Sequence, residues 1–303
     1  DHLVVIGGGP IGVEMAQAHR HLGVRVTVVE IATILPNDDP ELVDVLRQAL
    51  RRQGIDIREG VTVAGLEQNN GGVRVRIVDQ GREDLIEGSH FLLATGRTAN
   101  LGALELSRAG IEFDNAGIRV DARLRTTNRR IFAIGDAAAG YKFTHVAGYQ
   151  AGIVIRNALF RLPAKADYRA LPWVTYATPE LAQVGMTEIA ARAAHGTIRV
   201  LRSLFSDNDR ATAERNADGL VKVITTARGV VVGAGMVGPD AGELIQSWCL
   251  PIAKGLKIKD VAGLILPYPT LGEINKRAAG SYFTPALFGS RTRWLVRLLA
   301  KFG

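Results

Sequence analysis

The chain opens on a feature that leaves little choice of fold: an apolar run, Leu3-Val4-Val5-Ile6, leads straight into Gly7-Gly8-Gly9-Pro10-Ile11-Gly12. A core strand, a glycine turn and a helix with proline in its first turn form a strand–turn–helix unit that presents unpaired backbone amides to a phosphate. The helical run closes at Gly23, and a second strand, Val24 to Val29, ends on Glu30. In such a unit Gly7 permits the tight turn, Gly9 lets the backbone approach a pyrophosphate, and Gly12 lets helix and strand pack closely. Pro10 and Ile11 complete the motif. Glu30 stands where a carboxylate accepts hydrogen bonds from the adenosine ribose hydroxyls. It repels a 2′-phosphate, and Ile31-Ala32-Thr33 brings no arginine to hold one. The expected cofactor is NAD(H) rather than NADP(H). Glu14, within the first turns of the helix, has two open readings: complementing the helix dipole, or touching the nicotinamide end.

From Asp39 helix signals resume, with Pro40 at the start, Leu42, Val45, Leu46, Ala49 and Leu50 on one face, and Gly54 at the close. Alternating strands near Val61 to Leu66 and Val73 to Val78 flank a hairpin turn at Asn69-Asn70-Gly71-Gly72. Phe91 to Thr95 reads as an apolar strand ending in Gly96-Arg97. A second strand-then-glycine signal follows: Ile131-Phe132-Ala133-Ile134, then Gly135-Asp136. The expectation is a buried strand delivering a glycine that admits a ligand and a carboxylate that holds a sugar-like hydroxyl. Soon after, Phe143-Thr144-His145 begins a helix, with Thr144 as its N-cap. The amide end of that helix would stabilise a flavin ring that turns anionic on reduction. A chain with both signals is expected to pass hydride from a nicotinamide to a flavin.

At 303 residues and 47% hydrophobic, the chain can bury a core and divide into domains. Its one cysteine, Cys249, excludes an internal disulfide and a cysteine metal cluster, and suits a reducing, cytoplasmic setting. Cys249 sits among Trp248, Leu250 and Ile252 and reads as a small core residue. The histidines show no ligand spacing, so no metal site is expected. No apolar run approaches the roughly 18 residues that span a bilayer. Of the net charge of +7, four units come from Arg291, Arg293, Arg297 and Lys301 near the end, where no acid stands. No basic stripe interleaved with aromatics lies elsewhere, so nucleic acid is not an expected partner. Arg291 to Phe302 reads as an amphipathic helix with Trp294, Leu295, Leu298, Leu299 and Phe302 on one face and Arg293, Arg297 and Lys301 beside it. Two placements are open, docking on the chain's own dimer surface and contact with a membrane surface. The first is favoured, since short amphipathic helices usually pack on protein.

Four pieces, Gly7 to Glu14, Ala94-Thr95-Gly96-Arg97, Ile134-Gly135-Asp136 and Tyr268-Pro269-Thr270-Leu271-Gly272-Glu273, occur in the order and at the spacing of a known family. The chain resembles the pyridine nucleotide-disulfide oxidoreductases, such as dihydrolipoamide dehydrogenase, glutathione reductase and mercuric reductase. The resemblance implies an α/β fold with three parts. These are a Rossmann-like NAD-binding domain (1–99), a returning segment of an FAD-binding domain (100–170) and an α+β dimerisation domain (171–288). A fourth part, a basic amphipathic tail (289–303), rests on the residue pattern above and not on the resemblance. The resemblance implies FAD and NAD as cofactors, a homodimer, and a small-molecule electron acceptor such as a disulfide, a quinone or another small oxidant. By it Gly96, Arg97, Gly135, Asp136, Phe143, Thr144 and His145 join the cofactor-binding set, with Asp136 on the ribityl chain and the Thr144–His145 amides facing the pyrimidine side of the ring. Tyr268 and Glu273 become the candidate catalytic residues, reaching the neighbouring subunit's flavin.

Three departures stand out. The family's leading FAD-type glycine motif and its Cys-x4-Cys pair are absent, so the chain is expected to lack the half that grips the ADP of FAD and to be incomplete as an enzyme. Tyr268 stands where the family usually has an acid/base histidine, and a phenol with pKa near 10 is a poor proton acceptor at neutral pH. Pro10 occupies a position where the family often places an aromatic gate. A non-catalytic module that binds NAD and dimerises is the competing reading. The retained Gly135, Asp136 and Thr144 argue against it.

Overall fold

The structure, a computed structural model, describes residues 1–69 and 71–301. Asn70, within the expected hairpin turn, and Phe302, on the expected apolar face of the last helix, lie outside the described residues. Contacts divide the chain into two units, residues 1–95 together with 169–303, and residues 96–168.

In the first unit, β1 (His2–Ile6), α1 (Pro10–His21), β2 (Arg25–Glu30), α2 (Pro40–Arg52) and β3 (Ile55–Glu59) follow one another as strand and helix alternate. An antiparallel ribbon comes next, β4 (Val61–Asn69), β5 (Gly72–Asp79) and β6 (Arg82–Gly88), before β7 (His90–Leu93) returns to the parallel sheet. The sheet order is β3-β2-β1-β7, and the ribbon forms its own sheet in the order β4-β5-β6. Strand β1 is paired on both sides, by β2 and by β7, and covered on both faces: Leu3 and Val5 cluster with Val13 and Ala16 of α1, Val4 and Ile6 with Val61, Val75 and Ile77 of the ribbon. Helix α2 starts as its sequence dictates: the Asp39 carboxylate accepts from the Glu41 N–H at 3.1 Å and Pro40 fills the first position. Strands β3 and β6 were not among the sequence expectations.

The second unit, residues 96–168, is short of regular structure: a two-residue ribbon of β8 (Phe113–Asp114) and β9 (Gly117–Ile118), and one long helix, α3 (Thr144–Ala158). The strand expected at Ile131–Ile134 does not form. Its backbone is extended at Ile134, yet the only bridge it makes among the described residues joins Phe132 to Arg125. An extended segment becomes a strand only when a neighbour accepts its ladder. Thr144 is not the N-cap of α3 either. It is the first helical residue; Phe143 is the cap, with extended dihedrals and no side-chain cap bond.

The chain then re-enters the first unit with β10 (Pro172–Thr175), β11 (Glu180–Gly185), α4 (Glu188–His195), β12 (Ile198–Leu204), α5 (Asp209–Ala213), β13 (Leu220–Thr226) and β14 (Val231–Gly238). These strands make one antiparallel sheet in the order β10-β11-β14-β13-β12. Six helices follow among the described residues: α6 (Ala241–Leu244), α7 (Gln246–Lys254), α8 (Ile258–Ala262), α9 (Glu273–Ser281), α10 (Thr284–Leu287) and α11 (Ser290–Leu299). Trp248 is fully buried, and its indole N–H donates to Asn275 at 2.9 Å, tying α7 to α9. Cys249 packs half-buried against the same core.

The parallel sheet and the antiparallel sheet share a core. Leu42, Leu46 and Leu50 of α2 cluster with Leu181, Leu220 and Val237 of the antiparallel sheet. Gly235 leaves room for Leu42 there: a Cβ on it would lie 2.6 Å from Leu42 Cδ1, so the leucine would have to shift. A buried ion network closes the joint: the Lys222 ammonium contacts Asp39 at 2.8 Å and both Glu41 and Glu188 at 2.9 Å. Beside it the Trp173 indole N–H donates to Asp38 at 2.7 Å.

Burial pushes the Asp38 carboxyl up from 3.8 to about 6, with the neighbouring Asp39 adding to the rise and the Trp173 bond opposing it. Because the folded value lies above the unfolded one, Asp38 contributes stability that is full below pH about 4 and is lost as pH rises through about 6. Asp38→Asn keeps an oxygen for Trp173 and carries no charge. The variant is expected to be more stable than the parent at pH 8, by about 1–3 kcal/mol, with the advantage gone near pH 4. Urea midpoints at the two pH values check this. An equal effect at both would remove the burial of a charge as its cause.

Candidate functional site

The glycine turn between β1 and α1 is built on three different demands. Gly7 has φ +109°, and a Cβ there would fall 2.5 Å from the Ala94 carbonyl oxygen. A Cβ on Gly12 would fall 1.9 Å from the Gly7 carbonyl oxygen, so helix and turn could not meet. Gly9, by contrast, faces nothing within 4 Å. Its position is an open approach in front of the α1 N-terminus, where amides and helix dipole favour an anion. Pro10 and Ile11 stand exposed at the same mouth. This cradle fits a dinucleotide pyrophosphate, since protein contacts explain Gly7 and Gly12 but leave Gly9 to a ligand.

Glu30, at the end of β2, is drawn onto the turn. One carboxylate oxygen accepts from the Gly8 N–H at 2.6 Å and the other from the Ala32 N–H at 3.0 Å. Each oxygen keeps a second lone pair for a ribose hydroxyl. The structure also brings in a group that local sequence could not reveal: Arg47 of α2 reaches Thr33 at 2.8 Å, in the loop after Glu30. Its guanidinium is already held by Glu59 at 2.9 Å and by Asp44.

Glu14 does something that neither of its two readings anticipated. Its carboxylate accepts from the Tyr176 N–H at 2.8 Å, fastening α1 to the end of β10. Gln17, one turn on and buried, donates to the Thr178 carbonyl and accepts from the Thr178 N–H, at 2.8 and 2.7 Å. The helix that carries the glycine turn is thereby bolted to the antiparallel half of its own unit.

Within residues 96–168, Asp136 is exposed and pairs with Arg97 at 3.4 Å. Arg97 and Lys142 close a reciprocal clasp: the guanidinium donates to the Lys142 carbonyl at 2.6 Å and the ammonium to the Arg97 carbonyl at 2.7 Å. Gly96 and Gly135 both lie at positive φ, +128° and +61°. The Gly135 N–H donates to the buried Gln150 at 2.7 Å, and Gln150 donates in turn to the Tyr168 hydroxyl at 2.8 Å. Gln150 was not singled out from sequence, although an amide between Val146 and Ile153 on the buried face of α3 was the available signal. Phe143 and His145 stack with ring centroids 5.2 Å apart at the start of α3. These groups fit the ribityl and ring-facing side of a flavin: an outward carboxylate on a positive-φ glycine turn and a helix start with no side-chain cap.

Tyr268 sits on a cis Tyr268–Pro269 bond, 68% exposed. Its hydroxyl donates to the Asp209 carboxylate of α5 at 2.8 Å. Asn208, buried at the start of α5, donates to the Thr270 carbonyl at 3.1 Å, and Glu273 begins α9. The Asp209 carboxylate holds the Tyr268 phenol above the ordinary tyrosine value, and Glu273 adds to the shift. Asp209, missed by sequence reading, is therefore the phenol's partner.

A family model described as pyridine nucleotide-disulphide oxidoreductase matches residues 1–151, and the dimerisation-domain model of the same family matches residues 171–279. The chain belongs to the pyridine nucleotide-disulphide oxidoreductase family. Members of this family use FAD and NAD(P). The chain is 35% identical to the dihydrolipoyl dehydrogenase of Geobacillus stearothermophilus over 280 residues, covering 91% of this chain and 59% of that protein. It is 34% identical to the mercuric reductase of Bacillus cereus, covering 90% of this chain and 44% of that protein. Among solved structures, LpdA from Mycobacterium tuberculosis superposes with a TM-score of 0.86 at 29% identity, covering 93% of this chain and 61% of that chain. The HOCl-induced flavoprotein disulfide reductase RclA of Escherichia coli, as its Cu(II) complex, gives 0.84 at 29% identity, covering 91% of this chain and 64% of that chain. The chain thus spans less than two thirds of these pyridine nucleotide-disulphide oxidoreductases.

Proposed function

We propose that this chain is the nicotinamide-binding and dimerising portion of an FAD-dependent oxidoreductase that takes hydride from NADH and passes electrons to a small acceptor. The observation that carries the reading is the pairing of an open Gly9 approach with a carboxylate, Glu30, on the same turn. Gly7 and Gly12 shape the turn, the α1 N-terminus receives the pyrophosphate, and Glu30 accepts from the ribose hydroxyls. Arg47, the cation that reaches the loop after Glu30, is already committed to Glu59 and Asp44 rather than offered to a 2′-phosphate. When bound, the flavin supplies two-electron acceptance from the nicotinamide. Asp136 would hold its ribityl hydroxyls, and the α3 N-terminus from Phe143 to His145 would favour negative charge on the ring. Residues 171–279 support a homodimer, since they match a dimerisation domain.

On the acceptor side the reading assigns Tyr268 a positioning role. A phenol whose proton is committed to Asp209 is a poor base at neutral pH, so it orients the acceptor or Glu273 rather than carrying a proton. In the flavin-loaded protein, Tyr268→Phe is expected to leave the rapid-reaction rate of NADH-dependent flavin reduction near normal and to lower steady-state turnover by about tenfold or less. Intact flavin reduction with abolished turnover would make Tyr268 an essential proton carrier and overturn this assignment.

A further inference from the structure

We propose that α11 docks the chain onto a bilayer surface carrying anionic phospholipid headgroups. The helix has no buried residue: Trp294 is 65% exposed, Leu295 46%, Leu298 37% and Leu299 58%. Residues at these spacings share one face of a helix, so the four make a continuous apolar stripe. Arg293 and Arg297 lie one turn apart beside it, Lys301 follows just past the helix end, and Arg291 stands in its first turn. No acid occurs after Glu273, so nothing within the segment neutralises these four cations. A helix of 10 residues is too short to cross a bilayer, which takes about 20. No helix among the described residues is long and apolar enough to do so. Such a helix lies in the plane of the headgroups, with tryptophan and leucine below and arginine at the phosphates.

Charge decides between this occupant and a second copy of the chain. The four tail cations supply more than half of the net +7, so the remainder of the chain is itself net positive. A second copy of these 303 residues therefore offers no net negative counterpart, whereas an anionic bilayer attracts each basic side chain. The structure differs from the sequence expectation in one respect that matters here. The helix ends at Leu299, so Lys301 reaches the interface from a turn rather than from the helix stripe.

Flotation of the purified chain with vesicles of phosphatidylcholine alone, or containing about 30% phosphatidylglycerol, tests the proposal. Partition to the anionic vesicles is expected to be at least about tenfold stronger. It should fall severalfold when salt rises from about 0.05 to 0.5 M. Trp294→Glu with Leu298→Glu should abolish it, and Arg293→Glu with Arg297→Glu should abolish the preference for the anionic lipid. All four positions are exposed, so circular dichroism and sedimentation should show an unchanged fold and oligomeric state. The absence of vesicle binding would overturn the proposal, as would equal binding to both compositions. Loss of the dimer in the Trp294→Glu, Leu298→Glu variant would overturn it in favour of docking on a second copy.

Discussion

Replacing Lys222 with methionine is expected to destabilise the chain by about 3–5 kcal/mol, the range for removing one partner of a buried charge cluster. The side chains of Lys222 and Asp39 are each 5% exposed and 2.8 Å apart. Without the ammonium, Asp39 keeps its bond to the Glu41 N–H but loses the cation that offsets its burial. Glu41 suffers less, because Arg202 holds it at 2.6 Å, and Glu188 retains Arg192 at the same distance. Most of the loss therefore falls on Asp39. Adding Asp39→Ala to Lys222→Met should cost well under the sum of the two single changes, since each has already broken the same pair. Urea unfolding followed by circular dichroism measures all three. A Lys222→Met change below about 1 kcal/mol would place the network with exposed ion pairs that contribute little. The effect matters for function because Asp39 caps α2, the helix whose leucines join the parallel sheet to the antiparallel one.

The second large effect separates two glycines that look alike in sequence. Gly12→Ala places a Cβ 1.9 Å from the Gly7 carbonyl oxygen, an overlap that only movement of α1 away from the turn can relieve. Stability is expected to drop by about 1–3 kcal/mol, as for overpacking elsewhere. NADH affinity should fall with it, since the α1 amides leave their place. Gly9→Ala meets nothing within 4 Å and has φ −69°, which any residue adopts, so the fold should be untouched. Its methyl would nevertheless stand in the ligand's path, raising the Kd for NADH at least about tenfold, or 1.4 kcal/mol. Thermal melts and calorimetry on the two variants read these effects independently. A Gly9→Ala chain that binds NADH normally would show that the approach in front of α1 is not the pyrophosphate's.

The glycine turn was legible in sequence because its geometry is local. The apolar strand, the three glycines and Glu30 fall within one strand–helix–strand unit, and each is dictated by its neighbours in the chain. Strands β6 and β12 were not legible: Arg82-Glu83-Asp84 and Arg199 through Ser203 carry too many polar residues to show an apolar face. Their state is set by the strands beside them. The strand expected at Ile131–Ile134 shows the converse, an apolar run with no ladder to join among the described residues. What sequence could not reach at all are the partners made at long range. Lys222 lies 183 residues from Asp39, Tyr176 lies 162 from Glu14, and Asp209 lies 59 from Tyr268. Glu14 illustrates the cost. Read along its own helix, it is a dipole partner or a ligand contact; the fold adds a bond from the Tyr176 N–H, just past β10.

The central claim, that the β1–α1–β2 turn is an NADH site, is tested most directly by titrating NADH and NADPH separately onto the purified chain in a calorimeter. Glu30 repels a 2′-phosphate and Arg47 is already paired, so NADH is expected to bind at least about tenfold more tightly, a gap of 1.4 kcal/mol. Equal affinities, or no binding of either, would contradict it.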